Sequence, residues 1–168
     1  MHNWQVVINC MDIRRLTSDD LPRLRQFWKE HWGDEFVVAH GVIYHPDTLD
    51  GFVALDNDEW VGEITYAVLG TDCEIVSLDS LREGQGIGTM LIDAVVQEAR
   101  KRNCRRVFLI TTNDNLHALG FYQRRSFEMA RIYRHALDET RRLKPSVPLI
   151  GMNNIPLRDE IELEMAMK

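Results

Sequence analysis

The segment Arg82-Glu83-Gly84-Gln85-Gly86-Ile87-Gly88-Thr89 sets three glycines within five positions, just before a stretch with helical apolar spacing. Glycine reaches left-handed backbone conformations without penalty and lets the main chain approach a ligand closely. The first N–H groups of a helix have no intrahelical partner and carry partial positive charge. Together these make a concavity suited to phosphate, although a turn of this composition also serves as a plain strand-to-helix connection that binds nothing. Two phosphate motifs fail on spacing. A Walker A loop needs a Gly-Lys pair, which is absent, and the dinucleotide pattern G-x-G-x-x-G meets Thr89 or Leu91 where its last glycine belongs. His2, His31, His40, His45, His117 and His135 lack the intervals of a zinc site, so no metal is expected.

The elements that would hold this turn are legible on both sides of it. Residues 12–16 read as a short strand. Ser18, with Asp19 and Asp20, reads as the N-cap and acidic first turn of a helix whose Leu21, Leu24, Trp28 and Trp32 share one face. Residues 33–51 have weak periodicity and are expected to form loop and short helix. Residues 52–55, a turn at Asp56-Asn57-Asp58, and residues 60–69 read as an antiparallel hairpin, with a further strand at 73–78. Beyond the glycine turn, Ile87, Met90, Leu91, Ala94 and Val95 line one face of a helix that stops near Asn103. Then come a buried strand at 107–112, a helix at 116–125, a strand at 127–133, a short polar helix at 137–143 and a closing strand at 161–167. Strand, helix, strand implies a parallel crossover, so the fold class is α/β (α+β) with a mixed, mostly antiparallel sheet.

With 168 residues, 45% hydrophobic and 27% charged, the chain is expected to fold as one domain over 1–168, with residues 1–10 a loosely ordered extension before Met11. A net charge of -6 argues against a nucleic-acid partner, whose binding domains usually present a basic face. Cys10, Cys73 and Cys104 are odd in number and far apart, which suggests no disulfide framework and a reducing, cytoplasmic setting. No run approaches the ~20 apolar residues that span a bilayer, and no membrane partner is expected.

The glycine turn and a second segment about thirty residues on resemble the two signatures of the GNAT N-acetyltransferases. In the first, Gln or Arg is followed by two residues, Gly, one residue, and Gly or Ala; here it reads Glu83-Gly84-Gln85-Gly86-Ile87-Gly88, with Glu83 in the place of Gln or Arg. Glu83 is therefore expected to face solvent, leaving the diphosphate to Arg82 or to the amides of Gln85 to Thr89. In the second, Asn115-Leu116-His117-Ala118-Leu119-Gly120-Phe121-Tyr122-Gln123-Arg124-Arg125-Ser126-Phe127 supplies the Asn, Ala, aromatic-Tyr and terminal Phe, and Ser126 replaces a Gly. The resemblance spans residues 12–133.

That resemblance implies a central parallel strand pair splayed around coenzyme A and flanked by helices, with acetyl-CoA as co-substrate. Backbone groups near Ser77 and Leu78 would meet the pantetheine arm and the thioester oxygen. Gln85, Gly86, Ile87, Gly88 and Thr89 would hold the diphosphate, and Asn113 and Asn115 would contact the arm or simply cap the next helix. Tyr122 takes the place of the acid that protonates the departing thiolate. The acceptor would be a primary amine of a small molecule or peptide, attacking directly in a ternary complex, and the tail strands would meet a second subunit in a homodimer. A lysine-like amine is mostly charged at neutral pH, so a base is required. Glu74 and then Asp72, two apart on one strand and so on one face, are the candidates, though each reads equally as a solvated carboxylate. Arg124 and Arg125 could reach the nucleotide phosphate, while Arg100, Lys101, Arg102, Arg105 and Arg106 read as a solvated helix end. His40 and His45 read as surface-loop residues that could also line an acceptor pocket. The acceptor would be met by residues 32–51 and 137–156, where Arg141, Arg142 and Lys144 could attract an acidic group or face water. A coenzyme A-binding module without turnover, serving as a sensor or interaction surface, is the alternative; Gly86, Gly88, Asn115 and Tyr122 favour the enzyme.

Overall fold

The computed structural model describes residues 11–168, and the expectation for residues 1–10 lies outside the described residues. Strand β1 (Met11–Arg15) leads into a tight turn and helix α1 (Leu21–Trp32). The helix entry is set by Thr17 and Asp20 rather than by Ser18. Asp20 accepts from the Thr17 amide at 2.8 Å and its hydroxyl at 3.0 Å, and Arg14 grips the same carboxylate at 2.7 and 2.9 Å. The Arg14 guanidinium, with these Thr17 bonds, holds the Asp20 carboxyl down at about 2. Leu24, Phe27 and Trp28 are buried, whereas Trp32, expected on the same face, is exposed where α1 ends at left-handed Gly33.

Residues 33–51, expected as loop and short helix, contain a small hairpin, β2 (Val37–Ala39) and β3 (Val42–Tyr44), followed by a 3₁₀ turn. His40 and Gly41 both have positive φ, 46° and 76°, which is the backbone that a two-residue hairpin turn needs. His40 is a costly residue there, so no Asn-Gly or Asp-Gly signal marks the turn.

Six further strands, β4 (Asp50–Asp56), β5 (Glu59–Leu69), β6 (Asp72–Ser80), β7 (Arg106–Thr112), β8 (Glu128–Tyr133) and β9 (Glu160–Ala166), join β1 in one sheet. Its order is β1-β4-β5-β6-β7-β9-β8, and every pairing is antiparallel except β6 with β7. Helix α2 (Ile87–Lys101) crosses between those two parallel strands. It packs on one face through Ile87, Leu91, Ile92, Val95 and Ala99, against Ile64, Tyr66 and Leu109 among others. The other face carries α1 and the hairpin, with Trp28, Tyr44, Val53, Trp60 and Val76 in a second cluster. Helix α3 (Leu116–Gln123) follows β7, and α4 (Ala136–Leu143) follows β8. Among the described residues no helix is long and apolar enough to cross a membrane.

The two faces of β5 explain much of the arrangement, because its side chains alternate. Gly62 lies under α2, where a Cβ would stand 2.7 Å from both Asp79 O and Ile87 Cγ2, so the helix start sits almost on the strand backbone. Glu63, the next residue, points to the opposite face and bonds Trp28. The basic cluster at the end of α2, expected to be solvated, is partly built in. Arg102 pairs with Glu98 and Asp50, and Arg106 bonds Asp72, Glu162 and Glu164 at 2.8, 2.6 and 2.5 Å while lying over the Phe108 ring.

One irregularity shapes the centre of the sheet. Thr65 pairs with Ser77 but Tyr66 pairs with Ile75, so Val76 has no partner on β5. Such a bulge bends and twists its strand. The β6–β7 ladder ends at the same place, running only from Asp72↔Arg106 to Ile75↔Leu109. Beyond it the strands part, leaving the β7-facing backbone groups of 76–80 without a ladder.

Two outcomes follow from this packing. Gly62→Val should push the α2 start off β5 and cost roughly 1–3 kcal/mol or more, read as a lowered urea midpoint. Asp20→Asn should remove stability that the wild type has above about pH 4; because the folded pKa is depressed, the gap between the two proteins should close progressively as the pH falls through about 2.

Candidate active site

The glycine turn stands at the open end of the parted strands. Gly84 and Gly86 have φ of 73° and 75°, and a Cβ on either would meet nothing, so their left-handed backbone rather than crowding calls for glycine. Gly86 is the N-cap of α2, which leaves the first amides of the helix facing outward. Gly88 is different: its Cβ would fall 2.9 Å from Phe121 Cζ, so its absence lets α3 approach α2. Glu83 is exposed, as expected, and it also borders the cleft beside the turn. Arg82 is held by ion pairs to Asp56 and Glu59, which leaves the amides of residues 85–89 as the main donors.

A cleft of about 680 Å³ opens between this turn and α3, lined by Leu78, Asp79, Gly86, Gly88, Asn115 and Tyr122 among others. It continues into a second hollow of about 510 Å³ bounded by Ser77 and Leu78 of β6, Ile110 and Thr111 of β7, His31 and Trp32 of α1, and Met152. Leu78, Asp79, Asn115, Ala118 and Tyr122 line both. The cleft therefore runs through the gap in the sheet from the α2 face to the α1 face.

Asn115 caps α3 by accepting from the Ala118 amide at 3.0 Å, and it still reaches the cleft wall. Tyr122 is 8% exposed, stacked edge-on between Phe121 and Phe127. Burial pushes its phenol well above the usual range, and the nearby carboxyls of Asp79 and Glu63 push the same way. Arg125 lies 3.5 Å over the Phe121 ring and donates to Thr89 Oγ1 at 2.8 Å, which brings a cation to the glycine turn. Ser126, where the second signature has glycine, adopts the left-handed conformation with φ 67°, so the backbone course survives the replacement.

Several expected site residues lie elsewhere. Asp72 sits at the far end of β6, ion-paired with Arg106. Asn113 is not on the cleft wall; its amide donates to Pro156 O and accepts from the Arg158 and Asp159 amides, clamping the C-terminal segment. Arg141 donates to Pro148 O and Leu157 O, and Lys144 to Trp32 O, so neither is free to attract an acidic substrate. Glu74 is buried on the α1 face, where Tyr44 donates to it at 2.6 Å; burial raises its pKa. His40 bonds Glu160 at 3.1 Å and packs its ring at a tilt against Tyr133, away from the cleft lining. His45 caps the 3₁₀ turn after β3.

The sequence reading missed a carboxyl on the cleft, Asp79, and a second one buried next to it, Glu63. Glu63 and Asp79 are directly opposite in the β5–β6 register. Glu63 is fully buried, accepting from Trp28 Nε1 at 3.2 Å and Ser77 Oγ at 3.0 Å, while Trp32 Nε1 donates to Asp79 at 2.5 Å. Burial raises both pKa values, and the register sets the two side chains beside each other on one face of the sheet. Their apposition depends on the bulge at Val76, which no local pattern in the sequence marks. Met152 was also hidden: Asp114, 3% exposed, accepts from its amide at 2.7 Å and from the Thr112 hydroxyl. A Cβ on neighbouring Gly151 would collide with that carboxylate.

Known proteins share this architecture. A family model described as "Acetyltransferase (GNAT) family" matches residues 12–127. An uncharacterised protein of Bacillus subtilis, YdhI, is 45% identical over 139 residues, 82% of this chain and 87% of the relative. N-alpha-acetyltransferase 30 of Schizosaccharomyces pombe is 36% identical over 97 residues, 53% of this chain and 65% of its own. Among solved structures, a GNAT family acetyltransferase from Elizabethkingia anophelis with acetyl-CoA bound superposes with a TM-score of 0.69 at 21% identity, covering 94% of this chain and 98% of that one. The split parallel pair, the glycine turn and the match over residues 12–127 together establish that the chain belongs to the GNAT family of acetyltransferases.

Proposed function

We propose that the protein moves the acetyl group of acetyl-CoA to a primary amine of a small molecule or peptide, by direct attack while both substrates are bound. The observation that carries this reading is the through-going cleft where β6 leaves β7, with a glycine turn at one mouth and Tyr122 on its wall.

The residues fit the co-substrate. Amides at 85–89 and the α2 start would hold the diphosphate, with Arg125 close by. The unpaired edge of β6 would bond the pantetheine arm as an added strand would, and Asn115 faces it from the other wall. An amide at Ser77 or Leu78 would stabilise the oxyanion that develops on the thioester carbonyl. Tyr122 stays protonated at neutral pH and would give its proton to the thiolate. The acceptor would enter from the α1 face, past His31, Trp32 and Met152. Ser126 would keep the glycine-like backbone, while Glu83, exposed on the cleft border, would stand beside the diphosphate. The relative from Schizosaccharomyces pombe is named for N-alpha-acetylation, which keeps peptide N-termini among the acceptors to test.

Two measurements test the two halves. Acetyl-CoA should raise the melting temperature of the wild type, and Gly86→Val, which forces a branched side chain into a left-handed site, should weaken binding roughly tenfold by calorimetry. Thiol release with a panel of amines should show Tyr122→Phe losing roughly 10²–10⁴ in kcat with acetyl-CoA affinity retained; unchanged turnover would remove the acid role.

A further inference from the structure

We propose that Asp79 receives the ammonium group of a cationic primary amine and takes its proton, with buried Glu63 holding it from behind. This rests on the acetyl-transfer reading and names the base and the acceptor class for it. The geometry is specific. Asp79 lines both halves of the cleft, as Tyr122 of α3 also does, and lies opposite Glu63 across the β5–β6 ladder. Glu74, the earlier expectation, instead engages Tyr44 and lies away from both hollows, and Asp72 is bound to Arg106.

Every element packed around Asp79 supplies a group that fixes its state. From α1, Trp32 Nε1 donates to it, and His31, which bonds the Phe27 carbonyl at 2.9 Å, stands near enough to favour its charge. From β5 comes Glu63, and from α3 come the neutral Tyr122 and, beyond it, Arg125. Two carboxylates this close resist ionising together, and the more buried one keeps the proton. Glu63, fully enclosed where Asp79 is only half-buried, is that one. Neutral Glu63 donates its O–H to the Asp79 carboxylate, which leaves a single negative charge on the pair.

The proton balance closes with these groups alone. The Asp79 carboxylate takes one proton from R–NH₃⁺, and the freed lone pair of the amine forms the new C–N bond to the thioester carbon. The C–S bond breaks as Tyr122 gives its proton to sulfur, and the second amine proton restores the Tyr122 phenol. Asp79 then returns its proton to solvent. The apolar sides of Trp32, Val76, Ile110 and Met152 bound the same hollow, so the acceptor pairs its ammonium with an apolar body.

The test uses the full chain saturated with acetyl-CoA and three probes: 2-phenylethylamine, an alanyl tripeptide amide, and 2,2,2-trifluoroethylamine, which is already mostly neutral at pH 7. Asp79→Asn should lower kcat/KM roughly 100-fold for phenylethylamine but less than about fivefold for trifluoroethylamine, which needs no base. Because the base must be ionised, wild-type kcat/KM should fall toward acid along a limb above the ordinary carboxylate range. Trp32→Phe, an exposed change that removes a donor to Asp79, should move that limb to higher pH. Glu63→Met should move it the same way, and Glu63→Gln, which still donates an N–H, should bring it back. Equal losses for both amines in Asp79→Asn, or an acid limb that neither Trp32→Phe nor Glu63→Met moves, would overturn the proposal. So would acetyl-CoA binding without turnover of any probe. Failure of the wild type to bind acetyl-CoA at all would instead sink the acetyl-transfer reading beneath it.

Discussion

One unpaired residue, Val76, is the point on which the site depends. A continuous parallel ladder between β6 and β7 would close the sheet and leave nothing for a ligand to bond. The extra residue ends that ladder after four pairs and turns the rest of β6 away. The cost is a row of backbone groups without strand partners, which is tolerable only where water or a ligand reaches them. The cleft is thus a consequence of a strand-pairing defect held in place by packing: α2 sits on Gly62 on one face, and Trp28 and Val76 pack beneath α1 on the other.

The same bend decides the electrostatics. By shifting the register it brings Ser77 opposite Thr65, with their hydroxyls 2.6 Å apart, and Asp79 opposite Glu63. Polar groups in such a place must be satisfied by one another, and Trp28, Ser77 and Trp32 provide the donors. The α2 face of the sheet, by contrast, is almost wholly apolar and serves as a rigid floor. The two ends of the cleft are therefore built from different materials: peptide amides and a guanidinium at the glycine turn, a carboxyl and an indole at the α1 end.

Most of the architecture could be read from residue order. The Asp56-Asn57-Asp58 turn marked the β4–β5 hairpin, alternation marked β9, the 3.6 period marked α1 and α2, and the glycines announced the turn before α2 to within a residue. Misreadings share a cause, which is dependence on contacts remote in sequence. The β2–β3 hairpin turns on His40, a residue with no turn preference, and is held against α1 by packing. Asp72 and Asn113 have plausible types and positions, yet distant partners, Arg106 and the C-terminal segment, claim them. Glu63 looked like an ordinary strand residue because its partner Asp79 is sixteen positions away across a bulged ladder.

The tether at Asp114 has a mechanical consequence. This residue lies in the three-residue connection between β7 and α3, yet it fastens the backbone of Met152, on the rim of the second hollow. Neighbouring Gly151 lies so close that only a bare Cα fits. The rim and the α3 N-terminus, which carries Asn115 and leads to Tyr122, consequently belong to one stiff unit. A displacement of α3 would therefore pull on that rim through the Asp114 carboxylate.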